Sequence, residues 1–395
     1  MHVSRKLIAL GAASAIFIAA CSGGSTATTA PATAAPATAA PATAAPATAA
    51  PATEAPASQP AAADYKACVA FDSGGLGDKG FNDLAKKGLE AAAAAGYKTA
   101  YSEAKGLADF APNIQRLIDE GCKTIITVGF TQSDATIAAT LANTDVNFGQ
   151  VDATWNEAGA DFTMGTADDM PFPPNFTGLD FQIDEAATLA GYLSAGVSKT
   201  GKIGTYGGAQ FPGVTRFMDG MYAGIKLYNA KHGTDVKLLG WDAATQTGTF
   251  VGGNNPWGDP AKGEQLAKQF IDQGADIVHP VAGGTGNGTI KAMLAAGKWA
   301  IGVDTDQALS LPEYSKAILT SAEKVIDVAV LETIKKNAGG DTGGENFIGT
   351  LANQGVRMSP YHDLASLVSP ELQAEIDQLQ ADIASGKIKV SDYLK

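Results

Sequence analysis

The chain has 395 residues, of which 45% are hydrophobic, enough for two lobes with cores of their own. Only 17% are charged and the formal net charge is −13, which disfavours nucleic acid or any other partner that needs a positive surface. The acidic excess is read as a solubilising surface.

Residues 1–20 read as an export signal. His2, Arg5 and Lys6 precede an apolar run, Leu7 to Ala20, that is shorter than a spanning helix. The run ends in Ile18-Ala19-Ala20-Cys21, small residues before a cysteine, as in a bacterial lipobox. Cys21 is therefore the expected lipidation site, a palmitate-type acylated N-terminus holding the chain on the extracytoplasmic face of the cell membrane. Residues 21–63 form an expected tether of Ala, Thr and Pro, with proline at 31, 36, 41, 46, 51 and 56. Such a composition cannot bury a core, and its regular proline favours an extended chain.

From Tyr65 the pattern changes to short apolar runs alternating with helical stretches. Strands are predicted at Tyr65–Phe71, Tyr97–Tyr101, Thr124–Val128 and Asn147–Val151. Helices are predicted at Phe81–Ala95, around Asn113–Glu120 and at Ser133–Ala142. A polar loop, Trp155–Asn175, interrupts the pattern. It restarts with a helix at Ile183–Val197 and a strand at Lys202–Tyr206, followed by a helix at Val214–Lys231 and a strand at Val236–Trp241. Next come a helix at Ala261–Gln273, a strand at Ile277–Val281, a helix at Thr285–Ala296 and a strand at Trp299–Val303. A late strand, Ala317–Ser321, is expected to return to the first lobe, ahead of a helix at Lys324–Asn337. A strand pair near Asn346–Leu351 and Val356–Pro360 and a helix at Pro370–Ser385 close the chain.

Two rounds of strand–helix alternation predict an α/β fold of two doubly wound parallel-sheet lobes. The expected division is 64–176 with 305–345 for lobe 1, and 177–304 with 346–395 for lobe 2. Cys68 and Cys122 are assigned to the first and third predicted strands, the second at its leading edge, and those strands could be neighbours, which leaves both a disulfide and two buried thiols open. No zinc-type spacing is present, and no metal or cofactor is expected.

Ligands of open parallel sheets bind beyond the carboxyl ends of the strands. Glycines, carboxylates and aromatics gather there. The first strand is followed by Asp72-Ser73-Gly74-Gly75-Leu76-Gly77-Asp78-Lys79-Gly80-Phe81-Asn82, the third by Gly129-Phe130 and the fourth by Asp152. In the second half come Gly207-Gly208, a long loop holding Trp257, Gly283-Gly284-Thr285-Gly286, and Asp304 with Asp306. Gly75-x-Gly77-x-x-Gly80 has the dinucleotide fingerprint, but a tethered protein outside the cell lacks a soluble cofactor pool. Gly196 to Lys202 has phosphate-loop spacing, yet Ile203 stands where Ser or Thr would hold magnesium. Asp78 and Lys79 are read as capping or surface charges, and His279 as a satisfied core histidine. Neither a Gly-x-Ser-x-Gly elbow nor a His-Glu-x-x-His pattern occurs, and the chain is read as no enzyme.

Several segments in order resemble the basic membrane protein family of nucleoside-binding lipoproteins of ABC importers. They are Gly75-Leu76-Gly77-Asp78-Lys79-Gly80-Phe81-Asn82, Thr127-Val128-Gly129-Phe130, Lys199-Thr200-Gly201-Lys202-Ile203-Gly204, Asp259-Pro260-Ala261-Lys262-Gly263, Asp272-Gln273-Gly274-Ala275-Asp276, Ala282-Gly283-Gly284-Thr285-Gly286 and Ile301-Gly302-Val303-Asp304-Thr305-Asp306-Gln307. The resemblance implies a type I periplasmic-binding fold with hinge strands, and a nucleoside, purine slightly favoured, between the lobes. It implies Phe81 and Trp257 as aromatic walls, Asn82 and Asp152 as base-edge partners, Asp304 as ribose acceptor with Lys324 beside it, and Asp72 and Gly283 as further contacts. The implied partners are the small-molecule ligand, an ABC permease and the membrane, with the protein a monomer. A flavin-like ring compound, a ligand-presenting sensor and an extracytoplasmic enzyme are the alternatives. The loops Trp155–Asn175 and Ala243–Pro256 depart from the family pattern and are expected to border the cleft.

Overall fold

The computed structural model describes residues 62–157 and 169–395. The expected signal segment, Cys21 and nearly all of the expected tether lie outside the described residues.

The first lobe opens with β1 (Lys66–Phe71), α1 (Phe81–Ala94), β2 (Lys98–Glu103), α2 (Phe110–Asp119), β3 (Thr124–Val128), α3 (Ser133–Ala142), β4 (Asn147–Val151) and β5 (Phe176–Phe181). The second follows with α4 (Ile183–Val197), β6 (Lys202–Gly207), α5 (Pro212–His232), β7 (Lys237–Leu239) and a short hairpin of β8 (Trp241–Asp242) and β9 (Thr247–Gly248). It continues through α6 (Pro260–Asp272), β10 (Ile277–Val281), α7 (Gly284–Ala295), β11 (Trp299–Asp304), α8 (Gln307–Ser310) and β12 (Ile318–Lys324). The chain ends with α9 (Ile326–Ala338), β13 (Glu345–Gly349), β14 (Val356–Met358) and α10 (Pro370–Ala384).

The central strands read as unbroken apolar runs because helices cover both faces. Val69, Phe71, Ile125, Ile126 and Val128 are wholly buried. One six-stranded sheet has the order β13-β5-β4-β3-β1-β2 with every pair parallel. The other has the order β14-β12-β11-β10-β6-β7, with only β14 antiparallel. Strand order reverses between β1 and β3 in the first sheet and between β6 and β10 in the second. Those two reversals open the crevices at which doubly wound sheets bind ligands.

The sheet order corrects the expected lobe boundaries. Residues 176–181 form β5 and pair with β4, so the first lobe runs past 176. The late strand β12 does not return to the first lobe; it pairs with β11. The helix after it, α9, returns and packs on α1, where an added Cβ on Gly88 would lie 2.8 Å from the Val330 Cβ. The segments near 346–351 and 356–360 do not pair with each other. β13 joins β5 in the first sheet and β14 joins β12 in the second. A run such as Phe176–Phe181, buried on both faces, lacks the alternation that marks a half-exposed strand, and pairing partners depend on where the chain crosses.

The described chain thus passes between lobes three times, at Gln182, Val325 and residues 350–355. The crossings are bonded to one another: Gln182 N–H donates to the Gly349 carbonyl (2.8 Å) and Val325 N–H to the Gly355 carbonyl (2.9 Å). No helix among the described residues is long and apolar enough to cross a membrane.

Cys68 and Cys122 are joined in a disulfide across a sequence separation of 54, both wholly buried in the first lobe. Loop-closure entropy assigns such a crosslink about 4 kcal/mol of stability. Replacing both cysteines by alanine should lower the urea-unfolding free energy by roughly that amount, and adding reductant to the unaltered protein should lower its midpoint in the same direction.

Candidate functional site

The loop after β1 fills its own backbone donors. Asp72 Oδ1 accepts from Gly74 N–H (2.8 Å) and from the Asn82 amide (2.9 Å). Asp78 accepts from the N–H groups of Gly80 (2.9 Å), Asn82 (2.8 Å) and Asp83 (3.2 Å) at the start of α1, and from the Asn82 amide (3.1 Å). Asp83 takes Gly77 N–H (2.8 Å) and Lys79 N–H (3.1 Å). The dinucleotide-like glycine loop is therefore a nest in which three carboxylates already take the N–H groups of Gly74, Gly77, Lys79 and Gly80.

The other glycine-loop decoy is filled in the same way. Asp276 accepts from Ser198 Oγ (2.6 Å), Lys199 N–H (2.6 Å) and Thr200 N–H (3.2 Å), closing the loop that has phosphate-loop spacing.

A second group of charges comes from three strand ends. Asp152 follows β4, Asp304 ends β11 and Lys324 ends β12. The Lys324 ammonium lies 2.6 Å from Asp152 and 3.7 Å from Asp304, and sits over the rings of Phe81 (5.3 Å) and Phe217 (5.0 Å). Asp152 and Asp304 both take left-handed backbone, φ 59° and 66°, which short polar side chains tolerate better than others. Burial pushes the Asp304 carboxyl up to about 7, against the opposing pull of Lys324, and the Asp72 carboxyl up to about 6. Burial also raises Asp78 and Asp152 above the usual carboxylate range.

Trp257 is delivered by the long loop after β9. That loop runs beside the end of β6, bonded from Gly207 N–H to the Thr249 carbonyl (3.0 Å) and from Val251 N–H to the Gly207 carbonyl (2.9 Å). The indole lies directly on Gly208, where an added Cβ would come within 2.2 Å of Cζ3. Gly208 is thus glycine because the ring occupies its side-chain space. Gly283, at φ 52°, turns beneath the Trp257 carbonyl.

All eight sequence-predicted residues, Asp72, Phe81, Asn82, Asp152, Trp257, Gly283, Asp304 and Lys324, line one cleft between the lobes. Two of them are differently engaged than expected. Both hydrogens of the buried Asn82 amide are committed to Asp72 and Asp78, so its donors face the protein rather than the cleft. Asp152 is ion-paired with the same ammonium as Asp304.

Sequence reading missed Asp78 and Phe217. Asp78 does cap α1, as expected, but it is also buried and lines the cleft. Phe217 lies three residues beyond Val214 on the inner face of α5, and both line the cleft. That helical spacing was the available signal. Phe130, noted after the third strand, meets Phe211 of the other lobe at 5.1 Å.

Two further expectations change. The described residues of the Trp155–Asn175 loop do not line the cleft; Trp155 is buried against Phe172 and Phe176 and donates to the Met170 carbonyl (2.9 Å). His279 is a core histidine, but neither ring nitrogen has a hydrogen-bond partner. Burial holds it down at about 3 and so neutral, with its ring 5.8 Å from that of Phe217.

Two doubly wound lobes, three crossings and a cleft at the facing strand ends define the two-lobed fold of solute-binding proteins. Solved structures of the same architecture include an ABC transporter solute-binding protein from Aeropyrum pernix, at TM-score 0.70 and 24% identity over 82% of this chain and 92% of that one. Another, from Conexibacter woesei, aligns at TM-score 0.63 and 21% identity over 84% and 100%. Residues 66–393 match the Bmp family model, described as ABC transporter substrate-binding protein PnrA-like, and the chain belongs to that family. Relatives include the ABC transporter nucleoside-binding protein BmpA of Lactococcus lactis, 28% identical over 83% of this chain and 89% of that one. Basic membrane protein A2 of Borrelia garinii is 29% identical over 80% and 86%. The chain is accordingly a non-catalytic, extracytoplasmic substrate-binding protein of an ABC importer.

The raised Asp304 carboxyl has a consequence for stability. A carboxyl whose folded pKa lies above its unfolded value favours folding below about pH 4, and that contribution is lost as pH rises through about 7. Asp304→Asn keeps the shape and the left-handed backbone while removing the titration. The variant should be the more stable at pH 8, by on the order of 2–4 kcal/mol, with the gap closing towards pH 4. Urea unfolding of both proteins across that range checks it.

Proposed function

We propose that the cleft binds a neutral nucleoside, with a purine slightly favoured, and that the protein delivers it as a monomer to an ABC permease. The observation that carries this reading is the cleft's chemistry: aromatic surface, four carboxylates and one ammonium. A ring sandwiched between Phe81 and Trp257 gains about 1–3 kcal/mol per base from stacking. Asp304 accepts from ribose hydroxyls, with Lys324 as the neighbouring donor, and carboxylate acceptors make such bonds short and strong. The base edge meets Asp72, whose Oδ2 has no protein hydrogen-bond partner among the described residues, rather than the committed Asn82 amide. The Lactococcus lactis relative, which carries nucleoside binding in its name, supports the same reading.

The electrostatics argue against nucleotides. A 5′-phosphate entering the cleft would meet four carboxylates and find the N–H groups of Gly74, Gly77, Lys79 and Gly80 already bonded to aspartates. Hinge closure supplies the transport signal, because a ligand touching both lobes stabilises the closed form by its differential affinity for it.

Calorimetric titration with purine and pyrimidine nucleosides, their 5′-monophosphates and riboflavin tests this reading. Nucleosides should bind one to one and monophosphates at least tenfold more weakly. Trp257→Ala should lose tenfold or more in affinity if stacking of about 1–3 kcal/mol is removed. Riboflavin binding without nucleoside binding would replace the ligand, and no binding by any of them would remove it.

Membrane attachment is proposed through an acylated Cys21, with residues 22–63 as the tether. Cys21→Ser should abolish labelling by radioactive palmitate and release the protein from the membrane fraction. Retention of both would refute the anchor.

A further inference from the structure

Away from the ligand-facing side chains, the second lobe grips the backbone of the loop after β1. Asn287 Nδ2, on α7, donates to the Asp78 carbonyl at 3.2 Å. Ser310 Oγ, at the end of α8, donates to the Lys79 carbonyl at 2.9 Å. The two accepting carbonyls are consecutive, and the residues that carry them belong to the other lobe. Neither Asn287 nor Ser310 lines the cleft.

The grip is braced from behind. Asn287 Oδ1 accepts from the Gln307 amide (3.4 Å), which leaves its own amide hydrogens directed to the loop. Gln307 is buried and doubly fixed: its Oε1 accepts from Val303 N–H (3.0 Å) and its N–H donates to Ser321 Oγ (3.1 Å). Gln307 therefore ties Asn287 to β11 and β12, the strands that end in Asp304 and Lys324. On the opposite side, Lys79 holds a left-handed backbone, φ 61°, although it bears a side chain. Such a conformation persists only where the surroundings hold it. Its N–H is fixed by Asp83 in its own lobe and its carbonyl by Ser310 in the other.

We infer that Asn287 and Ser310 are a closure latch, two positioning residues that hold the lobes together by the consecutive carbonyls of Asp78 and Lys79. The inference rests on the reading that ligand is held by lobe closure, but not on which ligand is held. Because Asp78, Phe81 and Asn82 hang from the gripped loop, the latch also sets the cleft wall at the moment of closing. Ligand affinity then depends on two side chains that need not touch the ligand. The dependence falls on dissociation, because the latch holds the closed form and must break before ligand leaves.

The test uses Asn287→Asp, which turns an amide donor into an acceptor facing a carbonyl, together with Ser310→Ala, singly and combined. Small-angle scattering of the ligand-free proteins reads the lobe separation directly. The double variant should show a larger radius of gyration than the unaltered protein, and an equal radius overturns the latch. Melting temperature of the ligand-free protein should stay within about 2 °C, since no core contact is removed; a larger fall would assign both residues a structural role instead. With a bound nucleoside, dissociation should quicken roughly fivefold for each single variant, association should not slow, and Ser310→Thr should keep the slow rate. Unchanged dissociation in the double variant also overturns the latch. If the scattering changes as expected while no nucleoside binds the unaltered protein, the ligand proposal fails and the latch stands.

Discussion

The Lys324 ammonium is the only cation among the described residues that line the cleft, and it faces four carboxylates there. It is 3% exposed, ion-paired at 2.6 Å to Asp152 and set between two aromatic rings. A buried charge is tolerable only when it is paired, and stripping one partner from such a pair costs several kcal/mol. Lys324 ends β12 in the second sheet, one residue before the chain crosses at Val325, while Asp152 extends from β4 in the first. One ion pair thus fixes the floor of the cleft, sets the face of Phe81 and binds the first lobe to a hinge strand.

Two of the four carboxylates, Asp72 and Asp78, are held without counter-ions, and that shapes what the cleft can accept. Asp72 Oδ1 and both oxygens of Asp78 accept from backbone N–H groups and from one buried asparagine. Hydrogen bonding compensates part of their desolvation, but Asp72 is still raised to about 6. The same device recurs at Asp276, where a carboxylate plugs a loop that could otherwise cradle an anion. Twice, then, a glycine-bearing loop that resembles a phosphate site has backbone N–H groups taken by aspartates of the same chain. The physics that makes a nest attractive to phosphate makes it equally attractive to a nearby carboxylate.

Close packing places the aromatic walls. Trp257 reaches the cleft because Gly207 and Gly208 accept a parallel-running loop and leave room for the indole. Helices α4 and α5 approach one another over Gly191, Gly220 and Gly224, where an added Cβ would lie 2.1–2.4 Å from a backbone oxygen of the facing helix. That seam fixes α5, and with it Phe217 and Val214. The hinge crossings are bonded to each other rather than free, so motion between lobes is confined to a few residues at Gln182, Val325 and 350–355.

The sequence by itself determined the layered α/β architecture, the two rounds of strand and helix, and eight of the residues that line the cleft. It could do so because parallel strands buried on both faces leave continuous apolar runs, and because cleft residues follow the carboxyl ends of those strands. Tertiary structure decided what local pattern does not carry. Which lobe owns β5, β12 and β13 depends on long-range pairing, and a strand buried on both faces looks the same in either sheet. Whether Asn82 faces the ligand or the protein depends on two carboxylates that compete for its amide, one of which looked from sequence like a surface cap. The bond between Cys68 and Cys122, left open by their spacing, and the entry of Phe217 into the cleft both follow from how separate elements come to lie against each other.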